Sequence, residues 1–348
     1  MSHYNAMGEE LTDRQESILR YIIGEYIASA LPVGSRAISK RHNLSLSPAT
    51  IRNVMANLED LGYLNHPHPS AGRMPTDKGY RFYVNTLMEM ENISDSDRIA
   101  IGKTLENTTA PEELFTEASR ILGKISHQLS LVSSPHISCA TLDRLDLISV
   151  SSTKVAAILS IRSGIVKTIM MEVSSEVRRE KLDALSGILN ERLSDHTLQH
   201  IRDTFARRVK DVKDEETGII RLLMRSTNKL FDDTWTWSHV HIGGTPDVIH
   251  QPEFEKPETF RAFIRLVDDE EVLTHVLVKR NPLPGEITVT IGDEHQEDKL
   301  KDYSTVTSVY KVGDALGTVC VIGPKRMSYS RLIPLVDHMA RTISAMLS

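Results

Sequence analysis

The sequence predicts a multidomain α+β protein, and three observations predict it. The chain has 348 residues, enough for two or three domains. Its front reads as three helices followed by a β-hairpin, and the remainder runs strands, helices, strands. Its composition, 40% hydrophobic and 25% charged, is that of a packed protein and excludes a disordered one. No run of about 18 apolar residues appears, so no transmembrane helix is expected. Met1 to Glu10 is polar and carries no apolar core, so no secretory signal is expected there. The two cysteines, Cys139 and Cys320, fit a reducing cytoplasm and exclude a disulfide framework or a cysteine metal site.

The elements follow in order. Thr12-x-x-Gln15 reads as a capping box, and Ile18, Leu19, Ile22, Ile23, Tyr26 and Ile27 recur on one helical face. Pro32-Val33-Gly34 ends that helix. Ser35 is expected to cap a second, with Ala37 and Ile38 inward and Arg36, Lys40 and Arg41 outward. Ser47 and Pro48 open a third helix with the stripe Ile51, Val54, Met55, Leu58 and Leu61, and Gly62 stops it. Tyr63–Asn65 and Arg73–Met74 read as two short strands around a Pro/Gly loop, and Thr76 starts another helix. That order is a winged helix-turn-helix. Residues 92–112 read as a polar connector, and 114–131 as helix. Strands are expected at 145–151, 155–161 and 165–171, helices over 176–232, irregular chain over 233–258, strands at 287–291, 305–310 and 317–322, and a closing helix over 328–347. Strands either side of a helical stretch suggest one α+β domain interrupted by an insertion.

Net charge is −6, but Gly34 to Arg81 holds seven cations against three acids. A local basic footprint is what phosphate binding requires. A helix fits the major groove of DNA and offers its N-terminal residues to base edges. On the third helix the outward residues include Ala49, Thr50, Arg52 and Asn53. Arg chelates guanine, Asn chelates adenine, and Ala or Thr meets a thymine methyl. Ser35, Arg36, Lys40, Arg41, Ser47, Ser70, Arg73 and Lys78 are the candidates for phosphate or wing contacts.

Several strings go further. Pro32 to Arg36, Leu46 to Asn53 and Ser70 to Arg81 at the front, and Tyr310 to Gly313, Gly317 to Met327 and Tyr329 to Asp337 at the back, resemble the HrcA family of heat-inducible transcription repressors. Residues 175–260 match it only in outline. Val54 and Asn57 stand where that family is expected to carry acids. The resemblance implies a winged-helix DNA-binding domain over 1–91. It implies a GAF-like domain over 92–184 and 261–348, and an inserted dimerisation segment over 185–260. It also implies repression of chaperone operons through an inverted-repeat operator, CIRCE, bound as a homodimer. Support comes from a GroEL-type chaperonin and is lost on heat stress.

Dimerisation also follows from energetics. One reading helix discriminates a few base pairs at about 1–3 kcal/mol each, against roughly 10⁶ or more competing sites. Two heads on a two-fold axis solve this. Phe231, Trp235 and Trp237 are the candidate interface residues. A second reading keeps DNA binding and makes the GAF-like domain a small-molecule sensor. His66 and His68 lack a third metal ligand, Gly313 and Gly317 lack a following Gly-Lys-Ser/Thr, and Asp268 to Glu271 reads as a solvated charge run. No catalytic triad or metal signature is found. No enzyme activity, cofactor or membrane association is therefore expected.

Overall fold

The structure, a computed structural model, describes residues 11–41, 46–68, 71–135, 140–162, 164, 166–173, 176–212, 218–231, 240–277 and 283–347. The front forms a compact head. α1 (Asp13–Ser29) opens with the expected capping box, Thr12 and Gln15 bonding reciprocally. α2 (Ser35–Arg41) is short, and α3 (Pro48–Asp60) follows. β1 (Leu64–Asn65) pairs antiparallel with β2 (Met74–Pro75), and a bridge from Val33 to Arg73 adds a third edge. α4 (Asp77–Phe82) is capped by Thr76 and runs on as a π turn over Tyr83–Leu87.

α5 (Asp95–Glu106) and α6 (Pro111–Ser126) lead into the body. The helix expected to reach residue 131 ends at Ser126, because His127 turns left-handed. Leu129–Ser133 is instead β3. All five of its residues are buried, so it shows no polar alternation that would mark a strand.

The body is one antiparallel sheet, order β7-β3-β10-β9-β8, formed by β3, β7 (Val240–Gly243), β8 (Ile287–Ile291), β9 (Tyr303–Val312) and β10 (Ala315–Pro324). Both faces are covered. On β10, Val319 and Val321 join the core that contains α6 and α14 (Tyr329–Met346). Cys320 and Ile322 point into the opposite core, with α12 (Pro257–Val267) and α13 (Glu270–Leu277). Side-chain alternation thus feeds two cores from one strand. The four-residue α11 (Thr245–Val248) follows β7.

Between β3 and β7 the chain builds a separate unit. β4 (Leu142–Ser151), β5 (Lys154–Ile161) and β6 (Val166–Glu172) form their own antiparallel sheet. α7 (Arg179–Leu193), α8 (Leu198–Arg208), α9 (Ile219–Arg225) and α10 (Thr227–Phe231) share a core with its inner face. This differs from the expected division. The strands over 145–171 belong with the helices of the insertion, not with the body sheet. The stretch at 240–243, expected irregular, pairs directly with β3.

The head is not a bead on a string. Its apolar residues, Ile18, Ile22, Ile51, Leu58 and Tyr80 among them, lie in the same continuous core as Tyr310, Tyr329 and Ile333 of the body.

A candidate nucleic-acid interface

The candidate reading helix, α3, is built by local chemistry. Ser47 Oγ accepts from the Thr50 N–H at 3.1 Å, and Pro48 sits in the first turn, where its missing N–H is not needed. Ile51, Met55 and Leu58 are buried against the head's core. Each such burial is worth about 1.5–3 kcal/mol relative to exposure. Val54 and Leu61 pack beside them. Gly62 ends the helix at φ +78°, a left-handed turn that suits glycine.

The opposite face is open. Ala49, Arg52, Asn53 and Asn57 are exposed, and among the described residues Arg52 and Asn53 make no side-chain hydrogen bond or ion pair. Thr50 is half-buried, its hydroxyl 3.0 Å from that of Ser47, so its polar group serves the cap. On α2, Ile38 is fully buried while Arg36 and Lys40 are exposed. Ala37, expected inward, is exposed as well. Ser35 is buried as the first helical residue instead of capping from outside. The side chain of Arg41 and all of Ser70 lie outside the described residues.

Three cations of the basic footprint are committed within the protein. Arg73, expected at a phosphate, pairs with Glu59 at the end of α3 at 2.7 Å and donates to the Ala71 carbonyl. Glu59 also holds His66, so one carboxylate ties the reading helix to both arms of the wing. Lys78 donates to the Leu61 carbonyl at 2.7 Å and lies 4.3 Å above the Tyr63 ring. Arg81 pairs with Glu294 of the body. The cations of Arg36, Lys40 and Arg52 are the described ones left facing solvent. Sequence reasoning missed these internal pairs, because an arginine on a polar face looks the same whether it meets phosphate or carboxylate.

The expected interface aromatics fare differently. Phe231 is fully buried, its ring 5.2 Å from that of Phe205 in the core of the inserted unit. It therefore supports its own subunit and is not available to a partner surface. Trp235 and Trp237 lie outside the described residues. Among the described residues no group of His, Cys, Asp or Glu could hold a metal. No helix is long and apolar enough to cross a membrane. Burial pushes the Cys320 thiol far above its usual range, as for an inert core residue.

A capped helix with an open Arg/Asn face, flanked by a basic helix and a three-edged wing, defines a winged-helix DNA-binding protein. The family comparisons specify which kind. Residues 10–89 match the winged helix-turn-helix transcription repressor, HrcA DNA-binding family, and residues 112–333 match the HrcA protein C-terminal domain. The chain belongs to the HrcA family and is a heat-inducible transcription repressor. It is 40% identical over 352 residues to the heat-inducible transcription repressor HrcA of Chlorobium phaeobacteroides (strain BS1), covering 98% of this chain and all of that one. It is likewise 40% identical to that of Prosthecochloris aestuarii, covering 97% and 98%. A crystal structure of a hypothetical protein at 2.2 Å shares the fold, with a TM-score of 0.59, 24% identity, and coverage of 97% of this chain and 99% of that one.

Proposed function

We propose that this repressor acts in the cytoplasm as a homodimer whose two α3 helices read an inverted-repeat operator of the CIRCE type. The observation that carries the reading is the Arg52–Asn53 face, unpartnered among the described residues, at the start of a capped helix. Ala49 and Thr50 complete the base-reading set. Arg36 and Lys40, with Arg41, supply phosphate contacts, while Ser35, Ser47 and Lys78 shape the backbone around them. Arg73 would reach DNA only by leaving Glu59.

The partner surface we assign to the insertion is the outer face of β4–β6. Ile148 (49% exposed), Val166 (59%) and Met170 (48%) stand open there, and Ala156 joins Ile148 to Met170 in one cross-strand row. Open apolar faces of this kind mark association sites. The body, with β7, β3, β10, β9 and β8, takes the GAF-like role.

Chaperonin dependence gains support from topology. Val132 pairs with Val319, and β3 lies between strands far downstream in the sequence. Such non-local pairing folds slowly and leaves apolar strands uncovered meanwhile. The fraction of active repressor then follows free chaperonin by mass action. A gel shift tests the core of the reading. The whole chain is expected to bind an inverted repeat far more tightly than a single half-site. Equal affinity for the two, or monomers in sedimentation at binding concentrations, would refute it. Refolding from denaturant should recover operator binding only with chaperonin present; full recovery without it would refute that part.

A further inference from the structure

The strings that carry the family resemblance come from opposite ends of the chain, and the structure brings them together at the seam between head and body. Asp77, in the first turn of α4, takes Lys325 Nζ on both carboxylate oxygens at 2.7 and 3.0 Å. The same carboxylate accepts the Asp293 N–H at 2.9 Å. Gly292 makes this approach possible: it turns at φ +52°, and a Cβ there would overlap the Asp77 carboxylate. Arg81, one turn further along α4, donates to Glu294 Oε1 and to the Val289 carbonyl, each at 2.7 Å. Arg326, held by Glu253 at 2.6 and 3.0 Å, donates to the Ile27 carbonyl at the end of α1. Tyr80 and Tyr329 meet ring to ring at 6.0 Å beneath these pairs.

The grip reaches the reading helix through a short rigid chain. Thr76 Oγ1 donates to the Gly62 carbonyl at 2.7 Å, and Lys78 Nζ to that of Leu61. Gly79 lies so close to the Tyr63 carbonyl that a Cβ there would sit 2.3 Å from it. The start of α4 is therefore fastened to the end of α3. Whatever fixes Asp77 and Arg81 also fixes the direction of Arg52 and Asn53. The seam itself is not packed shut. A crevice of about 600 Å³ runs along it, bordered by Tyr26, Met74, Tyr80, Asp302 and the Asp77–Lys325 pair. The polar grips beside that gap therefore add direction to the apolar core that the head shares with the body.

We propose that Lys325 and Glu294 are positioning residues for operator reading: by gripping Asp77 and Arg81 they set the angle of each head, and so the half-site separation that the dimer accepts. This rests on the two-headed reading above. Each base pair added between half-sites moves the second by about 3.4 Å and turns it by about 35°. A fixed head cannot follow that change; a loosened head can.

The test uses the whole chain and an inverted repeat selected from random duplexes by the wild type. Spacers are then lengthened by one and two base pairs, and a single half-site duplex serves as control. Wild type is expected to lose about tenfold or more in affinity per added base pair. Lys325→Met and Glu294→Gln are each expected to keep half-site affinity within about twofold and to cut that spacer penalty several-fold. Glu294→Gln is isosteric and tests the second grip should Lys325→Met fold poorly. Variants with the wild-type spacer penalty overturn the proposal, as does a uniform loss on all duplexes or tighter binding to the parent repeat. If wild type itself ignores the second half-site, the two-headed reading falls with it. If wild type discriminates spacers and the variants do so equally, only the grip falls.

Discussion

Arg52→Ala separates reading from mere attraction. The side chain is exposed and, among the described residues, supports nothing else in the head, so the fold is expected to change by no more than about 0.5 kcal/mol. A bidentate arginine–guanine contact discriminates by about 1–3 kcal/mol. In a two-fold dimer the loss occurs twice, giving about 2–6 kcal/mol on the operator. At 1.4 kcal/mol per factor of ten, that is a loss of roughly thirty-fold to 10⁴-fold. Fluorescence anisotropy on the operator and on random duplex of equal length provides the assay. The operator affinity should fall by that factor while the random affinity falls only slightly, and changing the contacted base pair should cost the variant nothing further. Equal losses on both duplexes would show Arg52 to be a phosphate contact and end the base-reading assignment.

Four further outcomes are expected. Lys40→Ala should weaken all duplexes alike and make the slope of log affinity against log salt shallower by about 2 for the dimer, since each phosphate contact contributes about 0.9; an unchanged slope refutes the contact. Gly79→Ala, whose Cβ would meet the Tyr63 carbonyl, should destabilise by more than about 1 kcal/mol in urea unfolding. Gly24→Ala, in α1 with open space around it, should stabilise by about 0.5–1 kcal/mol, and equal effects at the two sites would refute the packing argument. Burial holds the His295 imidazole below its usual range, against the opposite pull of Glu294, and its Nε2 has no hydrogen-bond partner among the described residues. Its unfolded value lies near 6.5, so the unfolded chain binds the proton first. Stability from this group is complete above about pH 6.5 and declines as pH falls toward the folded value. His295→Asn should flatten that decline in thermal melts between pH 7.5 and 5.5, and an undiminished decline would refute the assignment. His338, lowered by its own burial, leaves a residual slope.

The head was legible because its information is local. The cap at Ser47, the stripe from Ile51 to Leu58 and the stop at Gly62 lie within sixteen residues of one another and follow the helical period. The exposed face was found as the complement of that stripe. The body was less legible. β3 is buried along its whole length, so alternation does not announce it; β10 was read as a strand, but its pairing with β3 joins residues that no sequence window sees together. The three strands of the insertion were found, but nothing in their own pattern says which sheet they join. The fate of Arg81 was hidden for the same reason, since Glu294 lies 213 residues away. Phe231 was misleading because its burial is set by Phe205, on another helix.

Ser133 and Val240 stand directly opposite each other at the end of the β3–β7 pair. In topological terms, everything between them is an enlarged hairpin loop. The insertion leaves and re-enters the sheet at one point, and its core takes in Ala315 of β10 besides its own residues. A short turn joining Ser133 to Val240 would therefore leave every strand of the body in register. Such a shortened protein should retain its head, its seam and its Arg52–Asn53 face and, on the proposed assignment of the partner surface, lose its means of pairing. On the proposed assignment, assembly and base reading are separable parts of the same molecule, with the sheet as the socket into which the assembly part is plugged.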